Sequence, residues 1–228
     1  QGAKPGGGGM LLGQKITERV AAMRTLPAGI DQRSACRHPD WTGPDDLEIK
    51  IEELREITDW KVPIYVKIGA TRTFFDVALA VKAGADVIVL DGMEGGTAAS
   101  QEVFIEHVGI PILAAIPEAV RSLQELGMQR EVQLIVSGGI RNGADAAKAL
   151  ALGADAVSIG VAAVVALGDN SHNFEKEYEQ IGTAAGFYDD WHEGRDPVGI
   201  STQDDGLASR FDAELGGRRI ANYLRAMV

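Results

Sequence analysis

The chain has 228 residues, 45% hydrophobic and 24% charged, ordinary values for a globular protein and enough length for one sizeable core. Its net charge of -11 argues against general nucleic-acid backbone binding, which needs a basic surface, but leaves a local anion site open. A single cysteine, Cys36, forms no internal disulfide and cannot hold an iron–sulfur cluster alone; no run approaches the ~20 apolar residues of a membrane span and nothing resembles a secretory signal, so no membrane partner and a cytoplasmic location are expected.

The first residues, Gln1-Gly2-Ala3-Lys4-Pro5-Gly6-Gly7-Gly8-Gly9, form a glycine-rich run with one amide and one cation. Glycine lets backbone approach a ligand closely, and Lys4 offers a charge for an anion. Domains seldom open on such a run, so upstream sequence is expected in the intact polypeptide. Gly13 to Arg24 has helical spacing, with Ile16, Val20 and Met23 on one face. Gly43-Pro44-Asp45-Asp46 starts another helix, with Leu47, Ile51, Leu54 and Ile57 as its apolar stripe. Proline and acids suit a first helical turn.

Strands and helices then alternate. Val62 to Ile68 is a strand, Phe75 to Ala83 a helix stopped at Gly84, and Asp86 to Leu90 a second strand. Pro111 to Ala115 reads as a third strand, followed by a helix from about Glu118 to Leu126. Val132 to Val136 is a fourth strand, Ala144 to Leu152 its helix, and Asp155 to Ile159 a fifth strand. Two near-repeats, Lys82-Ala83-Gly84-Ala85-Asp86-Val87 and Ala151-Leu152-Gly153-Ala154-Asp155-Ala156-Val157, each put a glycine at a helix end and start a strand at once.

The pattern gives an α/β class with a parallel sheet, either a (β/α)8 barrel or an open doubly wound sheet. Strand ends favour the barrel, because Lys67, Asp91, Ser137 and Gly160 each follow a strand and barrels carry function there. With about five strands visible, roughly three are expected upstream, so the barrel is incomplete at its N-terminus. Residues 1–168 are assigned to it. Residues 169–228 form a covering segment and C-terminal helix of the same domain, and truncation is expected at that end too.

Ser137-Gly138-Gly139-Ile140 and Ile159-Gly160-Val161-Ala162 end adjacent strands in flexible backbone, the pattern of a barrel phosphate site; tight turns alone are the plainer reading. Lys67 ends an otherwise apolar strand and needs a partner: a flavin pyrimidine edge, or a salt bridge to Asp91 or Asp31. Asp91 to Ser100 carries three glycines and two hydroxyls near the mouth, suited to a planar ligand or to a mobile loop. Lys4 and Arg24 suggest a dicarboxylate clamp. His38 and its neighbours Pro39, Asp40 and Trp41 are read chiefly as loop-stabilising. No zinc spacing, catalytic triad or Walker loop is present.

In order, Gln1 to Gly6, Val66-Lys67-Ile68, Asp91 to Ser100, Ser137 to Ile140, and Pro197-Val198-Gly199-Ile200-Ser201-Thr202-Gln203-Asp204 resemble the FMN-binding barrel of glutamate synthases. The stretches Arg33 to Asp46 and Tyr188 to Gly194 resemble the N-methylglutamate synthase branch more closely. The resemblance implies an enzyme of the glutamate synthase oxidoreductase type with FMN as cofactor. It assigns Gly138, Gly139, Gly160 and Val161, with Ser137, to the FMN phosphate, and Lys67 to the flavin N1/O2 edge. Gln1, Gly95, Gly96 and Thr97 would border the ring system. Lys4 and Arg24 would hold the carboxylates of 2-oxoglutarate or its imine, with Lys67 and Lys4 as the catalytic cations. The reaction implied reduces or exchanges a 2-iminoglutarate-type intermediate, giving glutamate or N-methylglutamate.

Two departures from the family stand out. Met10 replaces a glutamine that helps hold the oxoacid. Trp191 and Asp196 stand at two of the three cysteine positions of a 3Fe–4S cluster, so no iron–sulfur cluster and no metal are expected on this chain. Implied partners are 2-oxoglutarate or glutamate, ammonia or methylamine, and amidotransferase-like and glutamate-synthase C-terminal-like subunits in an oligomer. Alternatives are another phosphate-binding barrel oxidoreductase, such as a hydroxyacid oxidase or an IMP-dehydrogenase-like enzyme, and a non-catalytic barrel scaffold. Cys36 is misplaced for a dehydrogenase loop nucleophile, and the histidine–arginine pair of the oxidases is not found.

Overall fold

The computed structural model describes residues 10–33, 38, 40–95, 107–180 and 195–228. In chain order these carry β1 (Met10–Leu11), α1 (Glu18–Arg24), β2 (Gln32–Arg33), α2 (Pro44–Ile57), β3 (Tyr65–Gly69), α3 (Thr73–Lys82), β4 (Val87–Asp91), α4 (Ile112–Glu125), β5 (Gln133–Ser137), α5 (Gly143–Ala151), β6 (Ala156–Ser158), α6 (Val161–Leu167), α7 (Glu175–Gln180), α8 (Asp205–Ala208) and α9 (Ala213–Met227). They fall into two compact units: α2 through β6 in one, and β1, α1, β2 and α6 through α9 in the other.

The first unit is built on a parallel sheet of order β3-β4-β5-β6. Each strand pairs with the next one in the chain, and α3, α4 and α5 make the crossovers. A doubly wound sheet reverses its strand order at a switch point, whereas a barrel adds each strand beside the last. The order without reversal is therefore barrel winding, and the described residues carry four barrel strands. One sheet face lies under the helices. Ile88, Leu90, Leu134 and Val136 are fully buried there, as are Val77 of α3 and Ala115, Ile116 and Ala119 of α4. Each large aliphatic side chain so buried contributes about 1.5–3 kcal/mol. Along the other face Tyr65 is 56% exposed.

Local chemistry sets the boundaries. Pro44 opens α2, and the Thr42 N–H and hydroxyl both donate to Asp46 Oδ2, at 3.0 and 3.1 Å. Asn142 caps α5 by accepting from the Asp145 N–H at 3.0 Å. The two near-repeats behave as expected: Gly84 at φ 97° and Gly153 at φ 112° follow α3 and α5 in a conformation that side chains rarely adopt. After each, the chain drops directly into the next strand.

Arg55 ties α2 to the α3–β4 connection, donating to Gly84 O at 2.6 Å and to Asp86 Oδ1 at 3.0 Å. Asp86 Oδ2 also accepts from the Ile64 N–H at 2.7 Å. Burial alone pushes the Asp86 carboxyl up, but the Arg55 and Ile64 hydrogen bonds outweigh it and hold the group below its usual range. Arg55→Ala is expected to destabilise the protein by about 1–3 kcal/mol at neutral pH in urea unfolding. The Asp86 contribution is present above the ordinary carboxyl range and fades as pH falls through the depressed value, so the variant difference narrows in acid.

Several sequence expectations are corrected. Pro111 to Ala115 is not a strand: helix α4 begins at Ile112. Its buried positions Ile112, Ala115, Ile116, Ala119 and Leu123 follow helical spacing. Pro117 lies inside α4 and removes one i→i−4 hydrogen bond, at a solvent-facing position. The parallel strands among the described residues are thus four, not five. The single helix read from Gly13 to Arg24 is a 3-10 turn at Gly13–Lys15 followed by α1, and Met23 is 73% exposed instead of packed. In α2, Ile51 is buried but Ile57 is 79% exposed, so only part of the apolar stripe is covered.

In the second unit, β1 and β2 form a short antiparallel pair, and α6 packs on α9. Gly216 of α9 is required there, because a Cβ would come within 2.7 Å of the Phe211 ring. Among the described residues no helix is long and apolar enough to cross a membrane.

Candidate functional site at the carboxyl edge of the sheet

Register aligns the strand ends. Gly69 pairs with Asp91, Asp91 with Ser137, and Ser137 with Ser158. One edge of the sheet therefore collects a carboxylate and two hydroxyls side by side. Lys67 lies within β3 and not after it, two residues short of the edge on the same side-chain alternation as Gly69. Its length brings Nζ to 3.5 Å from Asp91 Oδ2.

Asp91 is the centre of this edge. It is 5% exposed, and the Ser137 hydroxyl donates to its Oδ1 at 2.7 Å. Among the described residues its buried Oδ2 accepts no hydrogen bond and faces only the Lys67 ammonium. A buried carboxylate is costly without a counter-charge, and the Lys67 ammonium supplies one. The Lys67 side chain is itself 40% exposed, so its charge also faces the open side of the edge. Of the two partners expected for Lys67 within the protein, Asp91 is the one it meets.

The backbone after β4 and β5 folds together. Gly92 N–H donates to Ser137 O at 2.9 Å and Gly95 N–H to Gly92 O at 2.9 Å. Gly138 has φ 101°, and a Cβ there would lie 3.1 Å from both Gly92 N and Gly95 N. At Gly95 a Cβ would overlap Asp91 Oδ1. Glycine at both positions is thus demanded by packing of the two turns around Asp91. Gly139, at φ 69°, is exposed. Gly160 differs: it is exposed, has no demanding φ, and among the described residues no atom lies within 4 Å of a Cβ position. Open space beside a glycine at a strand end leaves room for a ligand to approach the backbone.

Glu94 completes the turn by accepting from the Ile112 N–H at 3.1 Å, which occupies the first turn of α4 with a carboxylate. His38 stacks on Trp41 with ring centroids 4.9 Å apart, a loop-stabilising contact.

The remaining candidates fall elsewhere in the chain. Gln1, Lys4, Gly96 and Thr97 lie outside the described residues. Met10 pairs through its backbone with Arg33, and Arg24 ends α1 as an exposed residue; both belong to the second unit. Val161 opens α6 in that unit as well, whereas Gly160 closes the first. Among the described residues no group of three or more histidine, cysteine, aspartate or glutamate side chains is arranged to hold a metal ion.

The sequence marks Asp91 as a strand-end residue, as the start of the Asp91–Ser100 loop and as a possible partner for Lys67. Its signal was an acid closing the apolar strand Val87-Ile88-Val89-Leu90, but Ser137 lies 46 residues away and the pairing needs the sheet. Asp196, at a position where the resembled family has a cluster cysteine, is a buried carboxylate. It accepts from the N–H groups of Val198, Ile200 and Ser201 at 3.1, 2.8 and 2.7 Å.

Residues 1–175 match the family described as a conserved region in glutamate synthase. The chain is 73% identical over 227 residues to a glutamate synthase large subunit-like protein of Rhizobium meliloti, covering 100% of the chain and 51% of that relative. It is 43% identical over 227 residues to an archaeal glutamate synthase [NADPH] of Methanocaldococcus jannaschii, covering 99% of the chain and 41% of the relative. A chloroplastic ferredoxin-dependent glutamate synthase of Oryza sativa is 33% identical over 224 residues, 98% of the chain and 13% of that protein. The chain therefore spans about half the length of the first relative and less of the others.

Proposed function

Because the chain belongs to the glutamate synthase family, we propose that it carries the flavin-binding catalytic part of a glutamate-synthase-type oxidoreductase. The observation that supports this best is the carboxyl edge of the sheet, where the Lys67–Asp91–Ser137 group lies beside the glycine turns and Gly160 leaves open space. These residues fit FMN. A partly exposed ammonium suits the ring edge that gains negative charge on reduction, and open glycine backbone suits a phosphate. Gly138, Gly139 and Gly160 would receive the phosphate and Lys67 the pyrimidine edge. Lys4 and Arg24 keep the role of carboxylate binders for a 2-oxoacid or its imine.

FMN, when bound, supplies hydride transfer to the carbon of a 2-imino acid. The chain's own part is to position and to hold charge. Asp91 fixes the Lys67 ammonium, Ser137 fixes Asp91, and the two glycine turns close around both. The matched region is common to relatives named for two electron donors, NADPH and ferredoxin. A part shared across both supports the substrate-side chemistry, not donor docking, as its task.

For the amine, both ammonia and methylamine remain within the proposal, and N-methylglutamate is the second product. The sequence contains no cysteine beyond Cys36, which favours an overall reaction or electron route that uses no cysteine-ligated cluster on this chain. The test is anaerobic incubation of the intact, photoreduced protein with 2-oxoglutarate and either amine, with product identification by mass. Glutamate or N-methylglutamate formed in step with flavin reoxidation supports the reading. Reoxidation that neither mixture accelerates contradicts it.

A further inference from the structure

The second unit buries two carboxyl groups against one phenol. Asp169 is 3% exposed, Asp196 1% and Tyr178 2%. The Tyr178 hydroxyl lies 3.2 Å from Asp196 Oδ1 and 3.5 Å from Asp169 Oδ1. A phenol has one proton to donate, so it cannot serve two ionised carboxylates at once. Asp196 is the better-supplied anion, with its three backbone N–H donors. Among the described residues Asp169 has the Tyr178 contact, a long contact from Asn170 Nδ2 at 3.4 Å and the Asn170 N–H. The arrangement is satisfied when Asp169 carries a proton and gives it to the Tyr178 oxygen, while Tyr178 donates to Asp196.

We propose that Asp169, Tyr178 and Asp196 form a proton-dependent clasp, closed when Asp169 is protonated, that fastens the Pro197–Ser201 turn to α7. The turn leads into Gln203 and Asp204, which with Lys15, Thr17 and Arg195 line a cleft of about 280 Å³. The clasp thereby sets one wall of that cleft. It is independent of the flavin reading, since every residue in it belongs to the second unit.

The surrounding charges agree. Burial first, and then the Asp196 charge, push the Asp169 carboxyl up to about 6. Tyr178 is pushed above its ordinary value by burial and then by the two acids, so it stays protonated. Lys15 is attracted to Asp196, although burial lowers its own pKa. Arg210 is taken up by Glu177 at 2.6 Å and Pro197 O at 3.2 Å. Arg219 passes beside Gly168. Arg195 is exposed, one residue before Asp196.

The sign follows from linkage. An opened clasp returns Asp169 to an ordinary value of about 3.9. The closed form binds the proton more tightly, so closure is favoured in acid and weakens as pH rises from about 4 to about 6, then levels off. Two units of difference make the full change on the order of a hundredfold in the opening equilibrium.

The test is hydrogen exchange of the segment holding the Val198, Ile200 and Ser201 amides, in the intact protein from pH 4 to 7.5, corrected for the intrinsic pH dependence of exchange. Protection in the parent should fall tenfold or more over that range. Asp169→Asn keeps a donor toward Tyr178 without a charge, so its protection should stay high and flat, above the parent at pH 7.5. Tyr178→Phe, a second variant that retains both acids, should lower protection at every pH. A flat parent profile, an Asp169→Asn profile that falls like the parent, or an unaltered Tyr178→Phe profile would each overturn the clasp.

Discussion

Gly138→Ala is expected to destabilise the protein by about 2–4 kcal/mol and to abolish flavin retention. Two effects add. An alanine at φ 101° is strained by about 1–3 kcal/mol in any surroundings. Its Cβ also meets Gly92 N and Gly95 N at 3.1 Å, backbone atoms that cannot swing away as a flexible side chain does. The turn after β4 must shift, and that turn packs on the Asp91 carboxylate. Urea unfolding gives the stability change, and the ratio of flavin to protein absorbance after gel filtration gives retention. Gly160→Ala is the control: with open space and no demanding φ it should leave stability within about 0.5 kcal/mol while weakening flavin binding. A stable Gly138→Ala protein with full flavin content would show that the two turns do not form the edge described here.

Lys67→Met should reduce turnover by at least about a hundredfold, the scale of losing one preorganised charge at a reacting group. It should also destabilise the fold by about 2–3 kcal/mol. Stranding one member of a buried ion pair costs about 3–5 kcal/mol. The lower figure applies because Lys67 is 40% exposed and water screens part of the interaction. The stability and catalytic effects are separable. Adding Asp91→Asn removes the stranded charge, so the double variant should recover most of the stability and none of the turnover. Recovery of turnover in the double variant would mean that Lys67 acts only as the structural partner of Asp91.

The elements most legible in the sequence were those set by local chemistry. The Gly84 and Gly153 repeats named two helix ends and two strand starts because a positive φ after a helix and an apolar run after it are both local signals. Pro44 with Asp45 and Asp46 located α2 for the same reason. The start of α4 reads as a strand in the sequence because Pro111 and Pro117 bracket a short apolar run. The period Ile112, Ala115, Ile116, Ala119, Leu123 was present but crossed a proline that the helix accommodates.

Long-range chemistry was less visible. Lys67 at the end of an apolar run calls for a partner, but register and length decide that Asp91 fills the role. The hydroxyl of Ser137 became relevant only when β5 was placed beside β4. Asp169, Tyr178 and Asp196 sit in a polar, turn-rich stretch with no periodic signal, so their burial could not be read before the fold. Asp196 gave a partial clue through its place beside the Pro197-Val198-Gly199 segment. The clue concerned what the residue replaces, while the structure shows a carboxylate gripping three amides.

The most direct measurement is the visible absorption spectrum of the intact purified protein, with the released chromophore identified by mass. Flavin bands, FMN as the released species, and loss of both in Gly138→Ala are the expected result. A colourless protein that takes up no FMN when it is supplied would contradict the assignment of the sheet's carboxyl edge as a flavin site.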